Sequence, residues 1–170
     1  MVDDLLDANR IRSGKKLLID TEPLELARLT ADALTELMTL FGDCFVLVAP
    51  ALIEGRWSRI QLQRMIENLC INAIKYGADG RPVRVSVLQG DGTALLKVHN
   101  EGPPIPAQVQ ASLFEPYQRG PAQRTDAQGW GLGLTIVKGV AEAHGGEVRV
   151  VSSEQDGTTF QVSLPLGPPE

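Results

Sequence analysis

The chain has 170 residues, 43% hydrophobic and 22% charged, which is enough for one domain of ordinary size with a true core. Sixteen basic against twenty-one acidic residues give a net charge of -5 with no dense Lys/Arg run, which argues against nucleic acid as a partner. Cys44 and Cys70 stand alone, without a CxxC or a histidine at ligand spacing, and no leader or apolar run near membrane length is present. A disulfide framework, a zinc site and direct membrane contact are thereby disfavoured, and the expectation is a cytoplasmic segment with small core thiols.

In chain order, "VDDLLDANRIRSGK" places Val2, Leu5 and Leu6 at helical spacing and stops at Ser13-Gly14. "KLLID" suits a short strand, and "TEPLELARLTADALTELMTLFG" carries Leu24, Leu26, Leu29, Leu34 and Leu37 on a helical pattern closed by Gly42. "CFVLVA" reads as a strand. The longest periodic segment follows, with Leu62, Met65, Ile66, Leu69, Ala73 and Tyr76 on one stripe, Ser58 placed to cap its start and Gly77 to end it. "RPVRVSVLQGDGTALLKVHN" alternates, turns at Gly90-Asp91-Gly92 and returns as a hairpin. "IPAQVQASLFEPY" predicts a short helix, and residues 118 to 129 a polar loop. "LGLTIVKGVAEAHGG" is a helix with a double-glycine end. A second hairpin closes the chain, with Val148 and Val150 on one strand and Phe160, Val162 and Leu164 on the other.

This order predicts an α+β fold, a two-layer α/β sandwich whose mixed, mostly antiparallel sheet carries about three helices on one face. A doubly wound parallel sheet would need a helix between every pair of strands.

Gly129, Gly131 and Gly133 stand in "GWGLGL", ahead of a helix, a setting that suits anion binding. The spacing is neither G-x-x-x-x-G-K-[ST] nor a G-x-G-x-x-G after an early strand, so neither common phosphate loop fits. By itself the run reads equally as a flexible loop with close helix packing. Asn68, Asn72 and Lys75 fall at i, i+4 and i+7 on the long helix, roughly 100° from the centre of its apolar face. Two carboxamides and an ammonium at the rim of a core could hold a hydrated Mg²⁺ and its phosphates, or could be a solvated flank.

Other motifs stand in order around these. "ENLCINAIKYG", "VHNEGPPIP", "LFEPYQRG", "GWGLGLTIV" and "DGTTF" resemble the N, G1, F, G2 and G3 boxes of the catalytic ATP-binding domain of sensor histidine kinases. That domain shares the Bergerat fold with type II topoisomerase, mismatch-repair and heat-shock chaperone ATPases. The resemblance covers residues 16 to 165. It implies a catalytic domain over residues 16–170, preceded by the end of a second dimerisation helix over residues 1–15.

The resemblance further implies Mg²⁺ and ATP as ligands, with Asn72 the principal metal ligand, helped by Asn68. Lys75 would touch phosphate and Tyr76 would pack along the nucleotide. Asn100 takes the place of the family's aspartate that accepts from the adenine amino group, and its carboxamide oxygen can do the same. Gly102 keeps the first glycine of its box, whereas Pro104, beside Ile105, replaces the second and removes an amide donor. Thr159 would sit near the base. Residues 118–129 would form the ATP lid, with Arg119 and Arg124 meeting the β- or γ-phosphate, and Gly129, Gly131, Leu132, Gly133 and Leu134 would present backbone to the triphosphate. Trp130, between two of those glycines, is an unusual position for a large ring.

Superfamily hydrolases carry a glutamate where this chain has Asn68, and an amide is a poor general base. The resemblance therefore implies γ-phosphoryl transfer to a histidine on a dimerisation domain outside this chain, for relay to a response-regulator receiver domain. His99 and His144 do not stand in an acceptor context, and His144 is expected to meet a helix C-terminus. The alternatives are a degenerate docking module, motivated by Asn100 and Pro104, and a hydrolase. The chain alone is expected to be a monomer or weak dimer, its parent a homodimer.

Overall fold

The computed structural model describes residues 2–115 and 132–167. The residues expected to form the lid, 118–129, together with Arg119, Arg124, Gly129, Trp130 and Gly131, lie outside the described residues.

Helix α1 spans Val2–Arg12 and leads through an extended segment into strand β1, Glu22–Glu25. The expected strand at "KLLID" is thus displaced: residues 16–20 are irregular, and the ladder starts at Glu22, six residues after Lys16. The partner decides this, because β1 pairs antiparallel with β3, Glu54–Trp57, a strand whose glycine and charges give little strand signal. Between them stand helix α2, Leu26–Phe41, and strand β2, Phe45–Val48. Glu25 caps α2 through Ala27 N–H at 3.0 Å and Arg28 N–H at 2.8 Å, and also accepts from Ile53 N–H at 2.8 Å. Burial opposes its charge, yet these three donors hold its carboxyl below the ordinary value.

Helix α3, Arg59–Tyr76, is capped by Ser58 Oγ, which accepts from Gln61 N–H at 3.4 Å, and it ends at Gly77. Strands β4, Val83–Gln89, and β5, Thr93–Asn100, form the first hairpin. A single helical turn, α4, Ala107–Gln110, precedes the undescribed segment. Helix α5, Gly133–Ala143, and the hairpin of β6, Glu147–Ser153, and β7, Gly157–Pro165, complete the chain.

The main sheet runs β2-β4-β5-β7-β6. Only β2 joins in parallel, because β3 and α3 cross over between it and β4 and return the chain to the same end. One face is apolar in cross-strand rows: Val85, Val98, Phe160 and Val150, then Val87, Leu96, Val162 and Val148. Against it pack Leu29, Ala33 and Leu37 of α2, Leu62, Ile66 and Leu69 of α3, and Ile136, Val137 and Val140 of α5. This is the expected two-layer sandwich. Trp57 is wholly buried and donates from Nε1 to Pro165 O at 2.9 Å, which fastens β3 to the end of β7.

Helix α1 docks on the helical layer. Ala8 is buried, and Arg64 of α3 is ion-paired with Asp4 and, at 2.6 Å, with Asp7. Ile11 lies directly over Gly139 of α5, where an added Cβ would overlap it.

Candidate functional site

Asn68, Asn72 and Lys75 share one flank of α3, the two carboxamides half-buried and the ammonium exposed. That flank faces α5: the position a Cβ would take on Gly133 lies 3.5 Å from Asn68 Oδ1. No side chain caps α5, so the amides of its first turn, at Gly133 and Leu134, have no side-chain acceptor at the cap. The Asn68 carboxamide oxygen therefore stands beside the helix-terminal N–H groups of α5. Glu67 points elsewhere, because it accepts from Gln63 Nε2 at 3.0 Å while that amide also bonds Glu36 of α2. The carboxylate belongs to the α2 side of the helix and the carboxamides to the α5 side.

Leu132 is buried beneath the start of α5. Thr135 in its first turn donates to Phe114 O at 2.9 Å, and Phe114 packs edge-on against Phe160 with centroids 6.1 Å apart. Such aromatic pairs contribute about 1 kcal/mol beyond their area. Phe114 is thus tied to the first turn of α5, beside the Asn68 flank.

At the C-terminal end of α3, Ala78 N–H donates to Glu101 O at 2.6 Å, and Asn100 Cβ lies 3.3 Å from where a Cβ on Gly77 would be. Gly102 follows at φ +147°, and a Cβ there would stand 2.9 Å from Tyr76 O and 3.1 Å from Ala78 N. Only glycine permits both that backbone and that approach. Lys75 Nζ sits 5.6 Å from the Tyr76 ring centroid.

Asn100, Thr158 and Ser152 form one cross-strand row on the inner face of the sheet, next to the apolar row of Val98, Phe160 and Val150. Asn100 and Thr158 are both buried. Asn100 Nδ2 donates to Glu101 O at 3.3 Å, which leaves Oδ1 as an acceptor with no partner among the described residues. Ser152 Oγ lies 2.7 Å from Thr158 Oγ1 and accepts from Ile105 N–H at 2.9 Å. Ile105 O in turn accepts from Gln110 Nε2 at 2.7 Å, while Pro104 is exposed at the bend.

Thr159, expected near the base, faces the opposite side of the sheet, its Oγ1 2.8 Å from His99 Nδ1. Strand alternation is the reason: with Phe160, Val162 and Leu164 inward, Thr158 is inward and Thr159 outward. The signal was therefore present in the sequence, as it was for Ser152, two residues beyond Val150. Ile105 was already among the expected site residues, whereas Thr135 carried no such signal.

His144 meets the C-terminus of α5 as expected, as its C-cap, and it also reaches α3. Its ring is buried, with Nδ1 2.7 Å from Val140 O and Nε2 accepting from Ser58 N–H at 3.0 Å. Burial lowers its pKa, although the Val140 bond opposes this. A neutral ring fastening two helices is the result. Burial also pushes the Cys70 thiol up to about 12, in line with a core residue.

The chain matches known proteins over most of its length. A model of the family "Histidine kinase-, DNA gyrase B-, and HSP90-like ATPase" matches residues 58–168. The chain is 31% identical to signal transduction histidine-protein kinase AfsQ2 of Streptomyces coelicolor over 99% of its own length and 30% of that protein's. It is 34% identical to the probable sensor histidine kinase TcrY of Mycobacterium tuberculosis over 98% of its length and 35% of that protein's. It superposes with a TM-score of 0.75 on the mycobacterial sensor histidine kinase MprB, 29% identical, covering 88% of this chain and all of that one.

Proposed function

Because the chain belongs to the family of histidine kinase-, DNA gyrase B- and HSP90-like ATPases, as the catalytic ATP-binding domain of a sensor histidine kinase, we propose that it binds Mg·ATP and passes the γ-phosphoryl group to a histidine on a separate dimerisation domain. The chain spans about a third of the curated relatives it matches, so that partner, and the response-regulator receiver domain that would accept the phosphoryl next, lie beyond it.

The observation that carries the reading is the line of polar groups along the C-terminal half of α3. Asn68 stands at mid-helix beside the first turn of α5, Asn72 one turn further on, and the Asn100–Thr158 pair just beyond the helix end. From Asn68 to Gly77 the helix rises about 13 Å, a span that suits an extended nucleotide. In this reading Asn100 Oδ1 accepts from the adenine amino group and Tyr76 lines the sugar. Lys75 reaches phosphate, and the amides of Leu132, Gly133 and Leu134, with Gly129 and Gly131 before them, face the triphosphate. Arg119 and Arg124 offset its charge during transfer.

Asn72 and Asn68 offer neutral oxygen donors, which suit a cation that arrives hydrated and phosphate-bound. When bound, Mg²⁺ would neutralise charge on the β- and γ-phosphates. The chain's own residues hold the triphosphate in line, so that the imidazole nitrogen of the partner histidine forms a bond to the γ-phosphorus as the bond to the ADP oxygen breaks. Asn68 at the site, with Glu67 turned toward Gln63, supports transfer over hydrolysis. Helix α1 reads as the end of the dimerisation helix, and the domain works in the cytoplasm. Among the described residues no helix is long and apolar enough to cross a membrane.

Calorimetry with Mg·ADP on this chain and on Asn72→Ala tests binding. Adding a dimerisation domain with its histidine and ATP then tests transfer, through acid-labile phosphate on that domain. A chain that binds no nucleotide ends the proposal, and phosphate release by the chain alone would favour a hydrolase.

A further inference from the structure

We propose that Ser152 is a positioning residue for base selection, acting through Thr158. The inference rests on the nucleotide reading above. Asn100, Thr158 and Ser152 are register partners across β5, β7 and β6, so their side chains stand in one line on the inner face. Ile105 N–H can only donate, and it donates to Ser152 Oγ at 2.9 Å. A hydroxyl that accepts is polarised toward donating onward, and the acceptor in reach is Thr158 Oγ1 at 2.7 Å. With that oxygen receiving from Ser152, the Thr158 hydrogen is directed away from β6, toward the side where Asn100 stands. There Asn100 Oδ1 is an acceptor, because its Nδ2 is turned to Glu101 O.

The pair thus presents one acceptor and one donor side by side. Adenine offers the complement along its edge, an amino group that donates and a ring nitrogen that accepts. A 6-oxopurine reverses both. Without Ser152 the Thr158 hydroxyl is free to rotate, and its hydrogen no longer has a set direction. Ser152 touches no ligand in this scheme, and its effect is on discrimination.

The test uses the whole chain, with calorimetric affinities for Mg·ADP and for Mg·IDP, whose base is the 6-oxo counterpart. The chain should prefer ADP, and Ser152→Ala should weaken ADP about tenfold while IDP changes less than about twofold, the size of one hydrogen bond. Ser152→Thr keeps a hydroxyl and should restore the preference. In a Thr158→Val background Ser152→Ala should have no further effect on ADP. Equal weakening of both nucleotides, an unchanged ratio, or failure of Ser152→Ala to fold would each overturn the proposal, since each makes Ser152 a structural or an idle group. Absence of any nucleotide binding by the unaltered chain would instead overturn the nucleotide reading itself.

Discussion

The Nε2 atom of His144 accepts the main-chain N–H of Ser58 across 3.0 Å, so the end of α5 is bonded to the residue that caps α3. Both helices supply the candidate site, and this bond joins their far ends. Because the ring is buried and its pKa is lowered, the folded protein excludes a proton that the unfolded chain takes up near pH ~6.5. Stability is therefore complete above that value and declines as pH falls from it toward the lower folded pKa. Urea unfolding between pH 5 and 8 should show this decline, and His144→Ala should remove it. The same change leaves Ser58 N–H without its acceptor and should cost about 2–4 kcal/mol.

Gly102→Ala should be severe for a single methyl group. The φ of +147° is closed to alanine, and the new Cβ would press on Tyr76 O and Ala78 N. The loss should be about 2 kcal/mol or more. Since Asn100 and Glu101 are held to the end of α3 at this point, Mg·ADP affinity should also fall by about tenfold or more, measured by calorimetry at a temperature where the variant is folded.

Asn72→Ala should separate binding from stability. Its carboxamide is half-buried on a flank, so the unfolding midpoint should shift by less than about 0.5–1 kcal/mol. Mg·ADP affinity should drop by about tenfold or more, as expected for loss of a hydrogen bond or ligand to a charged group. If affinity is unchanged, the principal-ligand role assigned to Asn72 is wrong.

Helix α1 should detach as a unit. Arg64→Ala removes both ion pairs to Asp4 and Asp7, and the acids are partly solvated, so the global cost should be about 1 kcal/mol. Gly139→Val places a side chain where Ile11 sits. Hydrogen exchange over residues 2–12 should quicken in both variants while α3, β5 and β7 keep their protection. Unchanged exchange in α1 would show that the ion pairs and the Ile11 contact do not hold it.

Much of the site was legible because its parts are local. The i, i+4, i+7 spacing of Asn68, Asn72 and Lys75 defines a flank on any helix, and Ser58 and Gly77 mark that helix's ends with their own chemistry. The hairpins were readable from alternation and their turn residues. Thr158 and Thr159 are told apart by parity: Phe160, Val162 and Leu164 face inward, so Thr158 does too and Thr159 faces outward. Strand β1 was misplaced. Its ladder depends on β3, and "EGRW" has no pattern of its own.

The sequence by itself determined the order of elements, the apolar faces and the ends of the helices, since each follows from periodicity and capping within one segment. Only the tertiary structure decided the rest. It turned Asn68 toward Gly133 and Glu67 toward Gln63, aligned Asn100, Thr158 and Ser152 across three strands, and made His144 a buried neutral fastener. These outcomes depend on register and on which helices share a face. Asn68 and Gly133, Asn100 and Thr158, and Ser58 and His144 lie 65, 58 and 86 positions apart in the chain, and no local pattern encodes such meetings.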